Sequence, residues 1–99
     1  MGYSEVKVVE YEDMIDFVLF PNPANQFTNI NLEGIVGFKD VDIHIFNNAG
    51  VRMKQFHLDE VWGKYYQMDL RDLHEGHYAV WVNIPGRRPR VVQLVIGIL

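Results

Sequence analysis

The 99-residue sequence contains no cysteine, so it can form neither a disulfide bond nor a thiolate metal site. It also lacks an apolar run of the roughly 18 residues that a membrane span requires, so we expect no membrane insertion. The chain has one serine, Ser4, near its start, and no Ser-His-Asp triad can be argued. No glycine-rich phosphate loop is present. These absences predict a protein that is not an enzyme and holds no cofactor.

Charge is sparse and mixed in sign. Nine basic and 13 acidic residues give a net charge of -4, and the only basic cluster is Arg87-Arg88-Pro89-Arg90. Nucleic-acid binding needs a broad basic face, so we expect no nucleic-acid partner. The arginines either contact an acidic partner or an anionic glycan, or they form a solvated tip that protects the neighbouring sheet edge. The solvated tip is the favoured interpretation.

The chain is rich in short segments in which apolar and polar residues alternate. A period of two is typical of strands with one buried and one exposed face. Seven segments at spacings of roughly 8–14 residues predict an all-β fold, an immunoglobulin-like antiparallel β-sandwich of about seven strands. They are Phe17–Phe20, Phe27–Leu32, Val41–Asn47, Val51–Leu58, Tyr65–Leu70, Gly76–Asn83 and Val91–Ile98.

One domain accounts for this pattern. We expect it to span residues 17–99, with residues 1–16 as a linker or an extra edge strand. Residues 1–16 are too acidic and too alternating for a signal peptide. If the protein acts outside the cytoplasm, we therefore expect the sequence to be part of a longer chain.

A corner between two predicted strands contains Leu73, Gly76 and Tyr78. Glycine adopts positive φ at low cost, which suits the point where the chain re-enters a sheet. Immunoglobulin-like sandwiches place a tyrosine there, with its ring packed inward and its hydroxyl bonded to the corner backbone. We expect Tyr78 to take this role and Leu73 to close the bottom of the core.

Two other turns are marked by their residue types. Pro21 and Pro23 lack an amide hydrogen and push the residue before each into extended geometry. The preceding strand must therefore leave the sheet in a kinked turn that includes Asn22 and Ala24. The segment from Asn47 to Gly50 predicts a hairpin, since Asn and Gly tolerate left-handed backbone.

Two histidines suggest a metal site and two tryptophans suggest a sugar-binding site, but each pair also has a simpler interpretation. His44 and His57 lie on the two arms of the predicted hairpin and could approach each other. A metal site needs three or four convergent ligands, so surface histidines are the favoured interpretation. Trp62 and Trp81 could stack against a sugar, although packing in the core or between sheets is favoured.

Three segments, in this order, resemble the C-terminal sorting domain of type IX secretion substrates in Bacteroidetes. The segment 20–25, FPNPAN, is similar to the family's Y-P-N-P-A-x opening, and the segment 41–52 with Gly50 is similar to its central hairpin. The segment 68–78 is similar to its d-l-s-x-L-x-x-G-x-Y corner. A final apolar strand lies where the family ends, with Gln93 where the family usually has a lysine.

This resemblance implies a non-catalytic sorting domain that directs a secreted cargo through the type IX system to the cell surface. The implied partners are the outer-membrane translocon and sorting machinery, and a cargo domain N-terminal in the same chain. The last strand could be recognised by strand addition or edge contact. The expected recognition residues are Pro21, Asn22, Pro23, Ala24, Gly50, Leu73, Gly76, Tyr78, Arg90, Val92, Leu94 and Ile96.

Two alternatives remain open at this point. One is an independent immunoglobulin-like module that binds carbohydrate or protein, for example through Trp62, Trp81 and the arginine tip. The other is a structural spacer in a multidomain surface protein.

Overall fold

Seven strands and one short 3₁₀ helix form the fold in a computed structural model, which describes residues 17–97. The 3₁₀ helix, Glu33–Ile35, joins the second strand to the third. The expectation for residues 1–16, a linker or an edge strand, lies outside the described residues. The strands are β1 (Leu19–Phe20), β2 (Phe27–Asn31), β3 (Lys39–Phe46), β4 (Arg52–Glu60), β5 (Tyr65–Asp69), β6 (Gly76–Asn83) and β7 (Arg90–Ile96).

The strands form two sheets, one in the order β1-β2-β5 and one in the order β4-β3-β6-β7. Every neighbouring pair of strands is antiparallel. The predicted antiparallel β-sandwich is therefore confirmed. The strand ends within the described residues lie within two residues of the predicted ones, because the alternation that marks a strand stops where its turn begins.

The core consists of the inward-facing residue of each alternating pair. Ile43, Val80 and Leu94 are completely buried, on three adjacent strands of the four-stranded sheet, and Ile30 is buried on the facing sheet. Thr28 is the one buried polar side chain among the described residues, and its hydroxyl donates to the Pro21 carbonyl at 2.8 Å. Burying this hydroxyl is tolerated because it has that hydrogen bond.

The corner between β5 and β6 has the predicted tyrosine arrangement. Tyr78 is 7% exposed, and its hydroxyl donates to the His74 carbonyl at 2.6 Å. Leu73 is half-buried and packs against the core. Gly76 has a backbone φ of 152°, which residues other than glycine rarely adopt. The corner is thus fixed by one buried ring, one hydrogen bond and one glycine.

Lys54 joins the edge of the four-stranded sheet to the same corner. Its ammonium group donates to the Asp69 carbonyl at 2.9 Å and to the Asp72 carboxylate at 2.8 Å. The side chain is only 19% exposed, and its Nζ lies 5.8 Å from the centre of the Phe56 ring. Because β4 and β5 belong to different sheets, Lys54 holds the two layers together at this side.

The two tryptophans lie outside the core, which contradicts the favoured interpretation. Trp62 follows β4 in a connecting loop and is 81% exposed. Trp81 is on β6, but it points away from the core because its neighbours Val80 and Val82 point inward, and it is 38% exposed. Large aromatic residues on the outward positions of a strand are exposed whatever their hydrophobicity.

We expect Tyr78→Phe to lower the free energy of unfolding by roughly 1–2 kcal/mol, because the His74 carbonyl loses a partner in a partly buried position. Tyr65→Phe is the matched control, since Tyr65 is 57% exposed. Urea denaturation of both variants measures the difference. Equal stability of the two variants would show that the corner hydrogen bond contributes nothing.

Candidate recognition site

The turn after β1, residues 21–24 (Pro-Asn-Pro-Ala), brings the chain from one sheet to the edge of the other. The peptide bonds before Pro21 and before Pro23 are both cis. The turn leaves β1, which pairs with β2, and reaches β7 of the four-stranded sheet, where Ala24 forms a parallel bridge with Ile96. One short segment therefore contacts both layers of the sandwich.

The side chain of Asn22 bonds to β7 as a backbone group of a neighbouring strand would. Its Nδ2 donates to the Gln93 carbonyl at 2.9 Å, and its Oδ1 accepts from the Val95 amide at 2.9 Å. An amide side chain has one donor group and one acceptor, like a peptide unit. The Asn22 side chain thus provides hydrogen-bond partners for the backbone groups at the edge of β7. Its neighbours Pro21 and Pro23 could not donate such bonds, because proline has no amide hydrogen.

The backbone of Ala24 continues the same contact. Its amide donates to the Val95 carbonyl at 2.7 Å, and its carbonyl accepts from the Gly97 amide at 2.9 Å. Ala24 is completely buried. We call these four hydrogen bonds, two from the Asn22 side chain and two from the Ala24 backbone, the clamp.

The inner face of β7 packs into the core beneath the clamp. Leu94 is completely buried, Ile96 is 4% exposed, and Val92 is half-buried against the core. Arg90 begins the strand opposite Val82 of β6. The structure therefore joins two groups of predicted site residues, the Pro-Asn-Pro-Ala turn and the final strand, into one unit.

Four other predicted site residues, Gly50, Leu73, Gly76 and Tyr78, lie near the end of the sandwich where β7 ends, whereas Arg90 lies at the opposite end. Strand register places the β1–β2 turn, the β3–β4 hairpin, the β5–β6 corner and the end of β7 side by side. Gly50, with a φ of 80°, is in the hairpin, and Leu73, Gly76 and Tyr78 are in or next to the corner. We call this end, formed by residues 21–26, 47–51, 70–76 and 96–97, the motif end.

A groove of about 340 Å³ lies between three of these segments. The Leu70 amide donates to the Gln26 carbonyl at 2.8 Å and holds the corner against the turn. Local sequence patterns do not indicate the groove, because its walls come from three segments that are about 20 residues or more apart in the chain. Its lining residues are Asn25, Gln26, Leu70, Arg71, Leu73, Glu75, Ile96 and Gly97.

Arg71, a charged residue that lines the groove, forms an ion pair with Asp69. Arg71 donates to the Asp69 carboxylate at 2.8 Å and lies 5.2 Å from the centre of the Phe27 ring. Hydrogen bonds from the Arg71 side chain and backbone lower the pKa of Asp69 to about 2. The carboxylate therefore stays ionised at all physiological pH values and remains available as the ion-pair partner of Arg71.

Comparison with known families decides the identity of this unit. A family model for the secretion system C-terminal sorting domain matches residues 18–96. The chain belongs to this family of sorting domains. None of the curated proteins matches it.

The sorting domain carries a C-terminal sorting signal for type IX secretion. Its family is generally non-catalytic, and its role implies an interaction with the secretion machinery and a cargo segment on its N-terminal side. The same role implies export toward the cell surface. Residues 17–97 contain no helix that could span a lipid bilayer.

The outer face of the sorting domain has one group of potential metal ligands within the described residues, Asp40, His57 and Asp59. His57 Nδ1 lies 2.7 Å from the Asp42 carboxylate, and its Nε2 lies 3.1 Å from that of Asp59 and 3.7 Å from that of Asp40. The three ligand residues are all exposed. His44 is not part of the group, since it lies opposite Gln55 while His57 lies opposite Asp42. The arrangement is an ion-pair network around one imidazole.

We expect Asn22→Ala to lower the free energy of unfolding by about 1 kcal/mol, because two hydrogen bonds to the edge of β7 are lost at an exposed position. Asn48→Ala is the control, since Asn48 is an exposed asparagine of the β3–β4 loop. Thermal unfolding of both variants tests this. An unfolding midpoint equal to that of the control would contradict the clamp.

The hydrogen bond to Asp42, together with the charges of Asp42 and Asp59, raises the pKa of His57 above its ordinary value of 6.5 despite some desolvation. Because folding raises this pKa, the network stabilises the fold below about pH 6.5 and loses that effect as pH rises through the folded-state pKa. We expect Asp42→Asn to lower the His57 pKa in an NMR titration. Glu33→Gln is the control, and an unchanged His57 pKa in Asp42→Asn would contradict the assignment.

Proposed function

We propose that the secretion machinery recognises the motif end of the folded domain, and that residues 17–99 carry the complete signal. The domain acts by being bound, without catalysing a reaction, while its cargo passes through the periplasm to the cell surface. The outer-membrane translocon is the proposed partner. The observation that supports this is that the family-like turn, hairpin and corner lie at the same end of the sandwich as the end of β7.

The clamp affects how the secretion machinery could recognise the final strand, β7. The outer-edge groups of Gln93, Val95 and Gly97 that strand addition would use are already bonded to Asn22 and Ala24. A partner that added a strand there would first have to displace the turn. We therefore propose contact with the side chains and the groove of the motif end in place of strand addition to this part of β7.

The first experiment tests the sorting role. Residues 17–99 are fused to an exported reporter in a bacterium with a type IX system, with and without residues 90–99. We expect the complete fusion outside the cell and the shortened one in the periplasm, because β7 and the clamp are lost. Export that is unaffected by the deletion would contradict the sorting role.

The second experiment tests which surface is recognised. Glu75 is an exposed groove residue of the corner, and Glu33 is exposed in the helix between β2 and β3, at the opposite end. We expect Glu75→Arg to weaken recognition about tenfold, or roughly 1.4 kcal/mol of binding, and so to reduce exported reporter, and Glu33→Arg to leave export unchanged. Equal effects of the two charge reversals would contradict recognition through the motif end.

A further inference from the structure

A second groove, of about 480 Å³, lies on the outer face of the four-stranded sheet. It is separate from the motif-end groove and shares no lining residue with it. Its residues come from three adjacent strands, with His44 opposite Trp81 and Phe46 opposite Arg52. The full lining is His44, Phe46, Arg52, Trp81 and Asn83.

Three rings form one wall of this groove, and the Phe46 ring contacts the other two. The rings of Phe46 and Trp81 meet edge to face with centroids 5.7 Å apart, and the rings of His44 and Phe46 stack with centroids 6.0 Å apart. Trp81 is 38% exposed, so part of its indole faces solvent. Rings held by their neighbours lose little further freedom on binding, which makes the wall a preorganised apolar surface.

Polar groups lie at the two ends of the wall. Arg52 is exposed next to Phe46, and within the described residues no carboxylate pairs with its guanidinium. Asn83 is at the other end, opposite Asp42. His44 Nδ1 is buried and has no hydrogen-bond partner among residues 17–97. The groove therefore combines an aromatic wall, a cation and an amide, the composition of a specific ligand site.

We propose that this groove binds an acidic saccharide. A sugar ring has an apolar C–H face that covers an exposed indole, and a rim of hydroxyl groups that an amide such as Asn83 can bond. A sugar carboxylate would form the paired hydrogen bonds that a guanidinium favours, so it belongs beside Arg52.

The charge distribution gives the saccharide one orientation. Asp42 borders the Asn83 end of the groove, and its carboxylate already bonds to His57. A second carboxylate there would be repelled, whereas at the other end it is attracted by Arg52, whose guanidinium pairs with no carboxylate of residues 17–97. The acid group therefore lies over Arg52 and the neutral part of the saccharide lies toward Asn83.

Binding is measured by NMR titration of the 99-residue chain with two disaccharides, one that contains glucuronic acid and one with glucose in its place. We expect the acidic disaccharide to shift the signals of the groove residues and to bind more tightly than the neutral one. Trp81→Leu weakens binding at least about tenfold, and Arg52→Gln removes the preference for the acid.

Two substitutions elsewhere on the surface serve as controls. Trp62→Leu removes an exposed tryptophan outside the groove, and Arg88→Gln removes an exposed arginine of the β6–β7 loop. Both leave the affinity unchanged if the groove is the site, and thermal unfolding confirms that all four variants are folded. The proposal is overturned if neither disaccharide binds, if both bind equally, or if Trp62→Leu weakens binding as much as Trp81→Leu.

Discussion

The outer edge of β7 presents backbone groups that need hydrogen-bond partners, and the rest of this structure depends on how they are satisfied. A bare edge strand pairs readily with other chains, which is a hazard for any sheet protein. Here Asn22 and Ala24 supply partners from a turn about 70 residues earlier in the chain. This turn is itself fixed by Thr28, whose buried hydroxyl donates to the Pro21 carbonyl. The start and the end of the described fold are therefore joined by direct hydrogen bonds.

The same hydrogen bonds link the surface of the motif end to the folding of the whole sorting domain. The final strand keeps its shape because the first turn covers its edge and β6 pairs with its other side. The motif-end groove exists only when the turn, the corner and β7 have come together. On the proposal that the machinery recognises the motif end, the sorting domain would therefore be recognised only in its folded form.

Local patterns in the sequence predicted much of this fold. Alternation located all seven strands to within two residues, and the spacing of Leu73, Gly76 and Tyr78 predicted the hydrogen bond that the tyrosine makes. The alternation also indicated that Trp81 points outward, since its neighbours Val80 and Val82 point inward. The large apolar side chain of Trp81 favoured burial instead, and that prediction was wrong.

Contacts between segments far apart in the chain could not be predicted from local sequence patterns. Nothing near Asn22 indicates that its side chain bonds to residues 93 and 95, since that contact depends on the whole sandwich having formed. The motif-end groove and the aromatic groove have the same origin in strand register. A resemblance to the sorting family placed the important segments in order along the chain, and the structure adds that they meet in space.

The central claim is that β7 is held on both edges in the folded domain, and amide hydrogen exchange of Val95 and Gly97 tests it most directly. Both amides donate to the turn, so the account predicts that they exchange about as slowly as the amide of the core residue Leu94. Exchange of Val95 and Gly97 as fast as that of the exposed loop residue Arg88 would show that the edge is open and would contradict the account.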